Sequence, residues 1–213
     1  MHISPHLSLR RLTILFFLLA LLITTPAYCQ QTPIQLPSAQ KDGGMALMQA
    51  LAKRRTTRAF RDQPLSRQML SNLLWAAFGV NRPRDVKPAL GRTAPSAMNS
   101  QDIELDVVLP EGVFVYEAEK NLLRPVAAGD VRAKISPEAG AHAAVTIVYV
   151  APAGDRFAQV DVGFIGQNVY LFAASQGLNA WFYTVHGQDV AGAIRLPAGK
   201  QVLYLQSVGY PPR

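Results

Sequence analysis

In 213 residues the chain has a single cysteine, Cys29, and only four histidines. One cysteine leaves no pair for an internal disulfide and cannot build a thiolate metal centre. His142 and His186 stand 44 residues apart, with no Asp or Glu at metal-ligand spacing, so no metal site is expected. The motifs G-x-S-x-G, H-E-x-x-H, G-x-G-x-x-G and the phosphate loop ending in Gly-Lys-Ser/Thr are all missing, which removes their chemistries from consideration. The carboxylates Glu117 and Glu119 sit at a hairpin end and read as solvated surface. No stripe of basic residues interleaved with aromatics runs through the 21 lysines and arginines, so no nucleic-acid partner is expected. The apolar run LTILFFLLALLIT has 13 residues, short of the roughly 20 that span a bilayer.

What that run does fit is a secretory signal. MHISPHLSLRR is a basic lead, the apolar run follows, and small residues at Ala27 and Cys29 offer a cleavage site. Residues 1–29 are therefore expected to be a signal peptide, the protein periplasmic or secreted, and no membrane span is expected after cleavage. Lipid attachment at Cys29 is the weaker alternative, because Tyr28 is bulky where lipoprotein signals carry a small residue; an uncleaved anchor is another. The pair Arg10–Arg11 resembles a twin-arginine signal, although the strongly apolar run argues for general secretion. Without those two arginines the net charge falls from +7 to +5, a balance that suits an anionic ligand or surface.

Residues 30–43, polar with Pro and Gly, read as a tether, leaving one domain over 44–213. A first helix is expected at about 44–54. A second is expected at 66–78, with Ser66 as N-cap and Gly79 as stop; its Met69, Leu70, Leu73, Leu74, Ala77 and Phe78 follow a 3.6 period. A long loop covers 79–101. IELDVVL (103–109) alternates as a half-buried strand and turns through PEG into VFVYE, a hairpin. AAVTIVYVA (143–151) is a continuous β-branched run, hence a central strand. Then follow a long buried helix over 158–176 closed by Gly177, the strand NAWFYTV, a short helix GQDVAGAIR and the strand QVLYLQSVG. The order makes an α+β layer architecture.

Three stretches carry chemistry. KRRTTRAF (53–60) places Arg54, Arg55, Thr56 and Arg58 at the end of the first helix. Arginine forks suit a phosphate through charge-assisted bonds; a solvated cationic helix end that favours the macrodipole is the bland alternative. APSAMNSQ (94–101) offers Ser96, Asn99, Ser100 and Gln101 behind a stiffening Pro95, donors and acceptors able to read the edge of a flat heterocycle, or simply a loop entering a strand. DVGFIGQNVYLFAASQGLNAWFYTV (161–185) reads as packing, with Asp161 in a first helical turn and Asn168 in a core hydrogen bond.

In this order the three stretches resemble the FMN-dependent nitroreductase family. Arg54, Thr56, Arg58 and Phe60 match R-x-S/T-x-R/K-x-F. Pro95, Ser96, Asn99 and Gln101 match P-S-x-x-N-x-Q, and QNVYLFAASQGLNA is similar to the family's helix with its A-x-x-G-L turn. LLWAAFGVNR, GRTAPSA and GYPP look closer to the azoline-oxidising dehydrogenase branch. The resemblance covers about 45–213. It implies a three-layer α/β/α fold with a mixed, mainly antiparallel sheet, a homodimer, and FMN as cofactor. It implies that Arg54, Arg55, Thr56 and Arg58 hold the phosphate and ribityl chain and reach the N1–O2 edge, where a fixed cation raises the reduction potential. Arg55, between the motif positions, otherwise faces water. The loop, with Pro95, Ser96, Ala97, Asn99 and Gln101, would come from the partner subunit; Ala97 stands where the family often has a second serine. Tyr183, Thr184 and Val185 would present backbone donors near N5, and Arg213 is the basic residue left to clamp the phosphate. The implied function is an exported FMN oxidoreductase moving hydride through N5 in ping-pong order between a small-molecule donor and acceptor. The alternatives are a non-catalytic flavin- or anion-binding protein that retains the fold, and a cationic adhesion module.

Overall fold

The computed structural model describes residues 31–82, 90–139, 142–184 and 187–213. The expected signal peptide and Val185 lie outside the described residues. Among the described residues the elements run β1 (Ile34–Gln35), α1 (Leu47–Lys53), α2 (Arg67–Phe78), β2 (Val80–Arg82), β3 (Gly91–Arg92), β4 (Glu104–Leu109), β5 (Gly112–Glu117), β6 (Leu122–Ala128), α3 (Arg132–Ile135), β7 (Val145–Pro152), α4 (Ala158–Ser175), β8 (Asn179–Tyr183), α5 (Gly187–Ala193) and β9 (Lys200–Gly209). A tight turn at Ala97–Asn99, with Met98 in the left-handed region, interrupts the loop before β4.

Seven strands form one sheet in the order β1-β6-β5-β4-β7-β9-β8, antiparallel at every described pair. The interior strand β7, between β4 and β9, is buried from Val145 to Ala151, as its unbroken β-branched run requires. Leu105, Val107 and Leu109 of β4 face a large core shared with Leu70, Leu73 and Leu74 of α2 and Val162, Ile165 and Val169 of α4. Val108 faces the opposite way, into a second core with Val148, Val150, Ile135 of α3, and Val190 and Ile194 at α5. Both faces are thus covered, giving three layers. β4 is accordingly not half-buried: Asp106, on its expected polar side, is only 3% exposed.

Local signals place the helix ends. The Ser66 hydroxyl accepts from Met69 N–H at 3.1 Å, starting α2. Gly79 ends it against Trp75, whose side chain leaves no space for a Cβ there. Gly177 closes α4 in the left-handed region, φ +68.

Three elements depart from the expectation. The segment read as a tether packs over part of its length: Ile34–Gln35 pairs with Leu122–Leu123 of β6, and Leu36 is buried. β6 itself, LLRPVAA, was not expected, because Pro125 breaks a strand reading. Proline is tolerated there because the β5–β6 register shifts beside it, between Val113 and Phe114, and β1 pairs only with Leu122 and Leu123 on the far side. The long loop also folds back on itself as the ribbon β2–β3, with Val80 opposite Arg92.

Candidate functional site

β8 is the last strand of the sheet, and an open strand edge needs a cover. Residues 54–61 supply it. Thr57 donates its N–H to Ala180 O at 2.9 Å, and its hydroxyl accepts from Ala180 N at 3.1 Å. Asn179 Nδ2 donates to Ala59 O at 2.7 Å, and Arg61 N–H to Tyr210 O at 2.9 Å. Phe60 packs on Trp181, Ala139 and Ala143. Two adjacent threonines therefore have separate tasks: Thr57 holds the edge, leaving Thr56 for the site.

The cationic cluster is divided between two aromatic platforms. The Arg54 guanidinium lies 5.5 Å from the centroid of the Tyr170 ring, and Thr56 Oγ1 meets the Tyr170 hydroxyl at 2.9 Å. That hydroxyl also accepts from Phe182 N at 2.9 Å, so Tyr170 of α4 ties the cluster to β8. The Arg58 guanidinium lies 5.3 Å from the Trp181 ring, which stacks on Tyr183 at 4.2 Å between centroids. Lys53, Arg54 and Arg55 with Thr57, Tyr170 and Asn179 wall a cavity of about 550 Å³ that has no carboxylate in its described lining. Arg55, exposed, belongs to this wall and is not a bystander facing water alone.

The loop 94–101 is turned largely upon itself. Ser96 Oγ accepts from Gln101 N at 3.0 Å, and Gln101 Nε2 donates to Leu90 O at 2.6 Å and Asn99 Oδ1 at 3.0 Å. Arg92 Nε donates to Gln101 Oε1 at 2.9 Å. Ser96 and Gln101 thus hold the loop, while Pro95, Met98, Asn99 and Ser100 are exposed. Ala97 N–H donates to Asp161 Oδ1 in the first turn of α4 at 2.8 Å. The other cluster meets α4 at Tyr170. At 1.5 Å rise per residue the two attachment points are roughly 14 Å apart along the helix, so a single chain does not bring the loop and the cationic cluster together.

Tyr183 directs its hydroxyl inward, donating to Ser136 Oγ at 2.6 Å and pairing with Ser207 Oγ at 2.8 Å. Burial, partly offset by these hydroxyl contacts, raises its pKa. Its side chain is therefore committed to the core, and only its backbone can serve a ligand. Thr184 and Arg213 are exposed. Asn168 Nδ2 reaches Ala77 O at 3.4 Å, a helix-to-helix bond. Among the described residues no group of His, Cys, Asp and Glu could hold a metal ion.

Lys53, Tyr170 and Asp161 are the site residues the sequence reading passed over. Tyr170 carried a usable signal: one hydroxyl in an otherwise apolar helix face, about two turns before the Gly-Leu turn. Lys53 belongs to the quoted cluster but precedes the motif.

A sequence model of the Nitroreductase family matches residues 51–210. The chain is 32% identical to a nitroreductase homologue of Methanocaldococcus jannaschii over 164 residues, 68% of this chain and 80% of that one. It superposes on the crystal structure of a nitroreductase homologue from Ralstonia eutropha with a TM-score of 0.79 and 31% identity, covering 87% of this chain and 92% of the other. A chain of the Escherichia coli microcin synthetase complex shares the fold, with a TM-score of 0.61 and 19% identity over 87% of this chain and 80% of that one. Edge-covering cationic segment, anchored loop and three-layer sheet together agree with these matches: the chain belongs to the nitroreductase family, whose members are generally flavin-dependent oxidoreductases.

Proposed function

We propose that this protein is an exported, homodimeric FMN-dependent oxidoreductase. The observation that carries the reading is the cationic cavity wall of Lys53, Arg54 and Arg55, with no carboxylate in its described lining, beside the edge strand β8. That donor set fits a phosphate monoester: three cations meet a dianion with no opposing acid. Arg54 and Thr56, both tied to Tyr170, would hold the phosphate end, with Arg55 adding charge. Arg58, set by its Trp181 platform, would present its cation farther along β8. When bound, FMN supplies two-electron hydride chemistry at N5, in ping-pong order between a small-molecule donor and an acceptor. The protein's part is to bind the phosphate, fix a cation beside the ring and exclude water.

A second chain completes the site in this reading. The loop 95–101 is anchored on α4 roughly 14 Å from the attachment of its own cationic cluster, and in this reading it serves the flavin of the neighbouring chain. Leu47, Met48 and Leu51 on α1, Val160 and Phe164 on α4, and Met98 at the loop tip are large apolar side chains left exposed on one chain, as an obligate partner would cover. The basic lead and apolar run of residues 1–29 support export. An exported enzyme is separated from cytoplasmic reduced nicotinamides, so another small-molecule donor is implied. No described helix is long and apolar enough to cross a membrane.

The test is the visible spectrum of the purified protein. Flavin absorbance near 450 nm is expected, as purified or after reconstitution with FMN. A colourless protein that takes up no flavin would end the reading. Failure of the anaerobically reduced protein to pass electrons to quinones, nitroaromatics or oxygen would leave a flavin-binding protein without turnover.

A further inference from the structure

We infer that Asp161 is a positioning residue, whose buried carboxylate latches the loop 95–101 in the geometry that meets a flavin; this rests on the proposed function. Asp161 is 1% exposed, in the first turn of α4. One oxygen, Oδ1, accepts the Ala97 N–H at 2.8 Å, while Oδ2 is buried with no hydrogen-bond partner among the described residues. Burying a carboxylate with half its acceptors unused is costly. Packing gains nothing from it, since an apolar residue would fill the same space without that cost. The loop explains it.

Directly after Ala97 the backbone enters the left-handed region at Met98 (φ 54), Asn99 (φ 55) and Gln101 (φ 57), none of them glycine. Such conformations persist only where their surroundings over-determine them. Two anchors do so here. On the far side, Gln101 is clamped by Arg92, Leu90 O and the Ser96 hydroxyl. On the near side the Asp161 bond is the side-chain anchor, and its charge strengthens it, as does its place at a helix N-terminus. Between the anchors Met98 is 89% exposed, and Asn99 is exposed with its amide oxygen accepting from Gln101 Nε2. The latch thus holds an amide and an apolar thioether at fixed positions on the protein surface, where an unrestrained loop would fold the methionine back.

Three variants test this on the full protein: Asp161→Ala, Asp161→Asn and, as control, Asn168→Ala, on the same helix as Asp161, which loses its bond to Ala77 of α2. Hydrogen–deuterium exchange of the Ala97 amide reads the latch directly, and exchange in β7 reads the intact fold. Asp161→Ala is expected to speed Ala97 exchange by about 10- to 100-fold, the effect of one charge-assisted bond. It should weaken FMN binding in titration by about tenfold or more and change the bound flavin's visible circular dichroism. Asp161→Asn, which keeps an acceptor oxygen, should recover part of each; Asn168→Ala should leave Ala97 exchange unchanged. Unaltered Ala97 exchange in Asp161→Ala would overturn the latch. Faster exchange with unchanged FMN affinity and dichroism would overturn its connection to the flavin. A wild type that binds no FMN would instead fail the proposed function, with the exchange arm still judging the latch.

Discussion

The hydroxyl of Thr56 meets the hydroxyl of Tyr170 at 2.9 Å, joining the end of the first helical segment to α4 across 114 positions of sequence. Because the same phenol also receives the Phe182 N–H, one oxygen connects the cationic segment, the long helix and the edge strand.

Tyr170→Phe removes that oxygen while keeping the ring beneath Arg54. The part-buried Phe182 N–H loses its partner, so unfolding stability in urea should fall by about 1–2 kcal/mol. FMN affinity should drop roughly 2- to 13-fold, one neutral hydrogen bond's worth. Thr56→Val should reproduce the affinity loss with less effect on stability. A Thr56→Val protein that binds FMN like wild type would mean that the hydroxyl pair serves only the fold.

Arg58→Ala should raise the FMN dissociation constant roughly 10- to 150-fold, because a charge-assisted bond contributes about 1.5–3 kcal/mol. A cation beside the ring favours the reduced, anionic flavin, so the midpoint potential should fall as well. Arg55→Ala, on the cavity wall, should weaken binding without moving the potential. Lys134→Ala on the exposed side of α3 is the inert control. Equal losses in the Arg55 and Arg58 variants, with unchanged potentials, would show that the cluster acts as diffuse charge.

Asp106 sets an expected pH dependence of stability. Burial first, then the neighbouring Glu104 charge, raises its pKa from 3.8 to about 7, while Lys200 and Arg124 oppose the shift. A carboxyl whose folded pKa lies above its unfolded value contributes its stability fully below pH ~4 and loses it as pH rises through about 7. The change is on the order of 4 kcal/mol. Asp106→Asn should flatten this slope and be the more stable protein at pH 8. Urea midpoints measured at pH 4.5, 6 and 8 that decline in parallel for both proteins would contradict it.

Phe164→Glu places a charge in the exposed apolar set of α4. If that face is the subunit interface, with more than roughly 2,000 Å² buried, the variant should sediment as a monomer and lose bound flavin. A wild-type protein that sediments as a flavin-loaded monomer at micromolar concentration would refute the dimer.

Much of the fold was legible in local pattern. The β7 run, the α2 period with its Ser66 cap, the Gly177 stop and the alternation of β4 each follow from side-chain spacing or a single backbone requirement. Where the reading failed, a distant partner decided. β6 contains Pro125, which reads against a strand unless the shifted register beside it is known. Ile34–Gln35 becomes a strand because β6 lies alongside, and Asp106 is buried on a sheet face where Glu104, Lys200 and Arg124 of β4, β9 and β6 surround it.

The candidate site divides along the same line. The sequence alone determined which residue types are available: a dense cationic segment, a polar loop stiffened by proline, and a chain without the cysteines or clustered histidines that metal or thiolate chemistry needs. These are matters of composition and order. Only tertiary structure decided that Thr57 covers a strand edge while Thr56 meets Tyr170, that Arg55 joins a cavity wall, that Tyr183 is committed to the core, and that Asp161 reaches Ala97 across 64 positions. The reason is directional. A hydrogen bond or a stacked ring is fixed by the placement of its partner to within a fraction of an ångström, and that placement comes from packing between elements far apart in the chain.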